Sequence, residues 1–257
     1  MQAKQQFIAF KTIVIKEIYR FTRIWVQTIL PPAITTTLYF VIFGNLIGSK
    51  IGSMNGFSYM EYIVPGLILM AIITNAYANV VSAFYSAKFQ RNIEEMLISP
   101  IPNYVILAGY VAGGVARGIV VGAVVTIVSL IFTHLSIQHV FLSSIIVVLT
   151  AALFATAGFI NAVYAKSFDD ISIVPTFVLT PLTYLGGIFY TIKMLPEFWQ
   201  SVSLVNPILY MVNAFRYSII GVSDINIWLA LFIIFGFIIG LFWWALSLLN
   251  RGVGIRT

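Results

Sequence analysis

The sequence has no cysteine and very little charge. Only 9% of its 257 residues are Asp, Glu, Lys or Arg, against about 25% in an ordinary soluble domain. Without cysteine there is no disulfide framework of the secreted kind. With so few charges, a water-soluble fold has nothing to cover its surface. The 8 carboxylates and 2 histidines leave little for acid–base or metal chemistry. Asp169-Asp170 is the sole adjacent aspartate pair and reads as a tight turn. His134 and His139 form neither HExxH nor another metal-ligand set. An integral membrane enzyme acting on lipid-linked substrates therefore finds no converging groups. There is no GxxxxGK[ST] phosphate loop; Gly44-Asn-Leu-Ile-Gly-Ser-Lys50 resembles one only superficially. The cations are scattered, without a recognition helix, which excludes nucleic acid as a partner.

What is present is apolar: 60% hydrophobic and 15% aromatic residues, with a mean hydropathy of +1.00. The runs are long and unbroken, which favours helices over a transmembrane β-barrel. The expected fold is an all-α polytopic membrane protein, one domain over 1–257. Six spans fall between charges, at about 25–48, 61–86, 103–133, 140–165, 171–189 and 226–249. With both termini on one side, that side holds Lys4, Lys11, Lys16, Arg20, Arg23, Lys88, Arg91, Lys166, Arg251 and Arg256, ten of the 14 cations. The bias toward cytoplasmic Lys and Arg then places both termini in the cytoplasm.

Between the spans lie three amphipathic pieces. Residues 3–24 carry Phe7, Phe10, Val14, Phe21 and Trp25 on one face and Lys16, Arg20 and Arg23 nearly opposite, the pattern of an interfacial helix. Residues 88–99 place Phe89, Ile93 and Met96/Leu97 in an apolar stripe beside Arg91, Glu94 and Glu95, and Pro100 and Pro102 stop the helix. That stripe suits docking into a partner's groove or packing on its own protein. Residues 190–222 are apolar but broken by Pro196 and Pro207 and read as a re-entrant outer hairpin, either sealing an exit or forming a passive cap.

Polar groups inside spans give candidates for a pathway or an interface: Asn75 and Asn79, on one face with Ser82 and Ser86; Arg117; and Thr176 and Thr180, near Pro175 and Pro181. Such stripes line a conduit or make interhelical hydrogen bonds. Arg117 at mid-span is costly unless paired or hydrated, so it sits either at a polar cavity or in a structural bond. Gly114, Gly118 and Gly122 around it form a small-residue seam for a neighbouring helix.

Together these pieces resemble the membrane subunit of ABC-2 type transporters. The resemblance rests on Gly186-Gly187-Ile-Phe-Tyr, Leu195-Pro196, Asn206-Pro207-Ile-Leu-Tyr and Arg216, and on Glu94-Glu95-Met-Leu-Ile-Ser-Pro-Ile-Pro at the end of the first cytoplasmic loop. The family commonly has Ser-Gly where this chain has Gly186-Gly187. The resemblance implies a permease of a bacterial ATP-driven exporter in the inner membrane, itself no enzyme and without a cofactor. It would pair with a second copy and with two copies of a separate ABC ATPase subunit that carries ATP and Mg. It makes 88–99 the coupling helix, with Phe89, Arg91, Ile93, Glu94, Glu95 and Leu97 on the ATPase. It makes Gly186, Gly187, Pro196, Asn206, Pro207 and Arg216 the outer gate. The family moves drugs, lipids, glycolipids and polysaccharides. A secondary transporter or channel is the alternative, although paired interrupted helices and mid-span carboxylates are missing from the sequence.

Overall fold

The computed structural model describes residues 2–254, except for the side chains at 45, 46 and 49. Arg256, counted above among the cytoplasmic cations, lies outside the described residues. The chain is helical almost throughout. Helix α1 (Ala3–Arg23) breaks at Ile24 into α2 (Trp25–Tyr39), which continues as a π-helical stretch, Phe40–Ile47, and a single turn, α3 (Gly48–Ile51). A small antiparallel hairpin, β1 (Ser53–Met54) and β2 (Phe57–Ser58), pairs Ser53 with Ser58 and delivers the chain to α4 (Tyr59–Phe89). A capping box starts α4: Ser58 Oγ accepts from the Glu61 amide at 3.3 Å, and Glu61 accepts from the Ser58 amide at 2.9 Å. Then follow α5 (Asn92–Ile98), α6 (Asn103–Phe132) and α7 (Val140–Tyr164). Helix α8 (Asp170–Val174), a π-helical stretch (Pro175–Leu179) and α9 (Thr180–Tyr184) run on from one another. The remainder is a 3-10 turn (Ile192–Met194), α10 (Glu197–Val205), α11 (Pro207–Ile220) and α12 (Ile227–Arg251).

Among the described residues, five helical stretches are long and apolar enough to cross a membrane: Trp25–Gly44, Tyr59–Phe89, Asn103–Phe132, Val140–Tyr164 and Ile227–Arg251. The centre is α4, buried along most of its length between α6 and α7. The glycine seam of α6 makes this possible. A Cβ at Gly114 would lie 2.6 Å from Val80 and 2.8 Å from Ala155; one at Gly122 would lie 2.6 Å from Ile72. Only glycine lets the backbones approach so closely, which strengthens dispersion contacts where lipid supplies no hydrophobic drive between helices.

Helix α1 divides the expected apolar face: Phe7 and, at the start of α2, Trp25 are exposed, whereas Phe21 is buried. It buries Ile13, Glu17 and Phe21. It runs lengthwise along α6: Gln6 accepts from Tyr104 Oη at 2.7 Å, Ile13 sits on Gly109 and Glu17 on Gly113. The two glycines leave room for Ile13 and Glu17 against α6.

The stretch 171–189 is helical only over Asp170–Tyr184, three successive pieces of 5 residues each. At 1.5 Å per residue that is about 22 Å, short of a bilayer core of about 30 Å. The chain nevertheless travels the length of α4. The carbonyl of Ile171 accepts from Asn161 Nδ2 near the end of α7 (3.2 Å), and that of Phe189 accepts from Tyr59 Oη at the start of α4 (3.1 Å). The first bond also repairs the helix. Pro175 has no amide for the carbonyl four residues earlier, which is that of Ile171, and Asn161 supplies the missing donor.

Gly114→Leu should lower stability by about 1–3 kcal/mol through overpacking. Gly236→Leu should be nearly neutral, because its Cβ meets nothing within 4 Å. Thermal unfolding in one detergent separates the two.

Candidate functional site

The sequence-predicted residues fall into three places. The first is a cavity of about 360 Å³ between α2, α4 and α6, lined by residues from Gln27 to Tyr39, by Leu67 to Ala78 and by Arg117. Arg117 is the fifteenth of the 30 residues of α6, so it lies at mid-helix. Its Nη2 donates to Asn75 Oδ1 at 3.2 Å. Its Nε is buried with no hydrogen-bond partner among the described residues. Pro31 and Pro32 form part of the opposite wall and interrupt the α2 ladder, removing the amides that would serve the carbonyls of Gln27 and Thr28.

Asn79 is drawn elsewhere. Arg20 Nη2 donates to its carbonyl (2.7 Å) and to its Oδ1 (2.8 Å), and Nη1 donates to Ser82 Oγ (3.2 Å). Arg20 Nε also pairs with Glu17 at 3.0 Å. Burial pushes the Glu17 carboxyl above its ordinary range, and Arg20 pulls it back. Arg20 was not expected here. The available signal was Glu17, the sole acid in α1, three residues before it. Thr176 and Thr180 do not join Asn75 and Arg117. Both are exposed, and Thr180 Oγ1 donates to the carbonyl of Pro175 at 2.9 Å.

The second place is the end of the bundle that carries α5. Residues 88–99 are not one helix. Helix α4 continues through Phe89, Arg91 takes a left-handed conformation (φ 61°), and α5 begins afresh at Asn92. The expected docking stripe is split by this break. Ile93 is 1% exposed and so not free for a partner, while Leu97 is half-buried against the protein's own core. The outward groups are Phe89 (65% exposed), Ile98 (86% exposed), Arg91 and Glu95, with Glu94 half-buried. Phe168, from the loop after α7, meets Phe89 edge to face with centroids 5.1 Å apart. Lys88 Nζ bonds the carbonyls of Val163 and Ala165, each at 2.7 Å, and so caps the end of α7. Ser167 and Asp170 form a capping box at the start of α8. Amide hydrogen bonds from Lys166 and Ser167 hold the Asp170 carboxyl below its usual range.

The third place is the opposite end. Asn206 accepts from the Ile208 amide (3.0 Å), capping α11, and donates to the carbonyl of Leu182 (2.6 Å). Gly187 takes φ +70°, which favours glycine. Ile208 lies against Gly186, and Pro207 opens α11. Pro196 precedes the first turn of α10, whose Phe198 and Val205 are exposed. Arg216 is not at a surface. It is 1% exposed, donates to the carbonyls of Gly187 (2.6 Å) and Tyr62 (3.2 Å), and stacks over the Tyr62 ring at 4.0 Å. Tyr62 in turn reaches Asp224 at 3.4 Å. Arg216 is thus a buried tie between the glycine bend and α4. Tyr62 and Asp224 carried no sequence signal, since their partner lies more than 150 positions from Tyr62 and only the fold joins them. Replacing Arg216 with Met removes the side-chain donor from the Gly187 carbonyl, at about 1–3 kcal/mol, while the Tyr62 carbonyl keeps its place in the α4 ladder. The protein should unfold at lower temperature, with amide exchange rising first around Gly187.

Residues 8–220 match the family described as ABC-2 type transporter. The chain is 57% identical over 251 residues to the inner membrane transport permease YadH of Escherichia coli (strain K12), covering 98% of each chain. It is 23% identical over 215 residues to nodulation protein J of Rhizobium leguminosarum bv. viciae, covering 83% of each. With a family match over residues 8–220 and a relative 57% identical over nearly its full length, the chain belongs to the ABC-2 type transporter family.

Proposed function

We propose that the chain is the permease half of an ATP-driven exporter of the bacterial inner membrane. It works as a pair of copies, and each copy engages a separate ABC ATPase subunit that hydrolyses the ATP. The observation that carries this reading is the exposed face at the α5 end. Phe89, Ile98, Arg91 and Glu95 stand outward while Ile93 clamps the same segment to the core. A surface helix anchored in this way passes a push inward instead of rocking freely.

The α5 end is then cytoplasmic, as the excess of Lys and Arg there requires. With 171–189 as a sixth crossing, both termini lie on that side. The exposed Lys4, Lys11 and Lys16 on α1 face anionic lipid. The α10–α11 hairpin dips into the outer leaflet and closes the exit, its exposed Phe198 and Val205 meeting lipid or the second copy.

Closure of the ATPases presses on Phe89 and Ile98. Phe168 and Lys88 share that load with the loop after α7 and with its last turn. Helix α4 carries it to the cavity wall at Leu67–Ala78. Yielding falls to the interrupted elements: Ile24, Pro31-Pro32 and the two π-helical stretches. The cargo is amphipathic or lipid-like, a drug or a glycan. It is held inside at first, then released past the hairpin by alternating access.

Co-expression with an ABC ATPase from the same organism should yield a two-plus-two complex with vanadate-sensitive hydrolysis. A chain that folds but binds no ATPase contradicts the reading. The double variant Phe89→Ala/Ile98→Ala should lose ATPase binding by roughly tenfold or more, the scale of an interface anchor, while thermal stability falls only by the lost Phe89–Phe168 contact, about 0.5–1.5 kcal/mol. Ile93→Ala should instead lower stability by about 2–5 kcal/mol, the cost of a core truncation.

A further inference from the structure

The cavity between α2, α4 and α6 carries an unbalanced charge. Arg117 is the only charged residue among those that line it. Its hydrogen bond goes to a neutral amide, and its Nε has no partner among the described residues. The nearby carboxylate, Glu17, is committed to Arg20, and that is the only ion pair among the described residues. An uncompensated guanidinium at mid-helix is unfavourable in a low-dielectric setting and is relieved by an anion. The rest of the wall suits the neighbourhood of an anionic headgroup. Tyr39 and Thr35 offer hydroxyls, Gln27 an amide, and Leu67 and Met70 an apolar bed. The volume of about 360 Å³ is enough for a headgroup and the first methylenes of a tail, at the small end of ordinary ligand sites.

We propose that this cavity binds the phosphate or carboxylate headgroup of an amphiphile. Arg117 is the counter-charge, Asn75 fixes the guanidinium, and the tail lies on Leu67 and Met70. The inference rests on the permease reading in one respect, that this amphiphile is cargo.

The test is titration of the purified full chain, in a neutral maltoside detergent, with dodecyl phosphate and separately with inorganic phosphate. Dodecyl phosphate should bind saturably, one per chain. Arg117→Gln should bind it roughly tenfold more weakly or worse, and Arg117→Lys, which keeps the charge, within about threefold of wild type. Equal affinity in wild type and Arg117→Gln overturns the site. Inorganic phosphate binding as tightly as dodecyl phosphate overturns the amphiphile and leaves a free-anion site. If Arg117→Gln does not fold, Thr35→Phe, which fills the cavity from α2 without touching the charge, must show the same loss; unchanged binding overturns the proposal. None of these readings uses the ATPase. A chain that assembles with an ATPase but ignores dodecyl phosphate loses only this inference. One that binds dodecyl phosphate but no ATPase loses only the export reading.

Discussion

Close backbone contact between α4 and the small residues of α6 and α7 is the constraint on which the structure depends. Gly114, Gly118 and Gly122 of α6 admit Val80, Ala76 and Ile72, and Gly158 of α7 sits against the backbone of Tyr77. In lipid, helix association has no hydrophobic drive, so it depends on contact area and on internal hydrogen bonds. The same seam fixes everything polar. It sets Asn75 beside Arg117 and Asn79 beside Arg20, and it holds Tyr62 where Arg216 can reach its carbonyl. A looser bundle would pull the acceptors away from all three arginines.

The three arginines are treated differently. Arg20 has a carboxylate and two side-chain acceptors. Arg216 has two carbonyls and an aromatic face. Arg117 has one amide and a cavity. Arg117 and Arg216 each keep one buried guanidinium nitrogen without a partner among the described residues, Nε and Nη1 respectively. What separates them is the surroundings: Arg216 is closed in by protein, whereas Arg117 opens on a cavity. Outside the bundle, the Lys88 cap on α7, the Phe89–Phe168 contact and the buried Ile93 make the α5 end one mechanical piece with α4.

Much of this could be read in the sequence. The charge gaps gave helical membrane architecture because hydrocarbon tolerates so few other solutions. The glycine seam was legible because spacing by four is a local property. The helix starts at Pro196 and Asn206 were legible for the same reason. What could not be read was which face of a helix wins. In α1 the protein-facing residues are Ile13, Glu17 and Phe21, of which only Phe21 lies on the expected apolar face, because α6 offers glycines opposite Ile13 and Glu17. In 88–99 a left-handed Arg91 splits the stripe, a backbone choice that periodicity does not encode. Thr176 and Thr180 stand apart from Asn75 and Arg117, and Thr180 bonds the carbonyl of Pro175.

The central claim is that the Arg117 cavity is the compartment whose access alternates. Because the chain has no cysteine, Thr35→Cys places a single thiol in the cavity wall. With the ATPase complex in oriented vesicles, membrane-impermeant maleimide can be offered from either side. The account predicts labelling from the cytoplasmic side without nucleotide and from the opposite side after vanadate trapping. Labelling from the same side at the same rate in both states would contradict it.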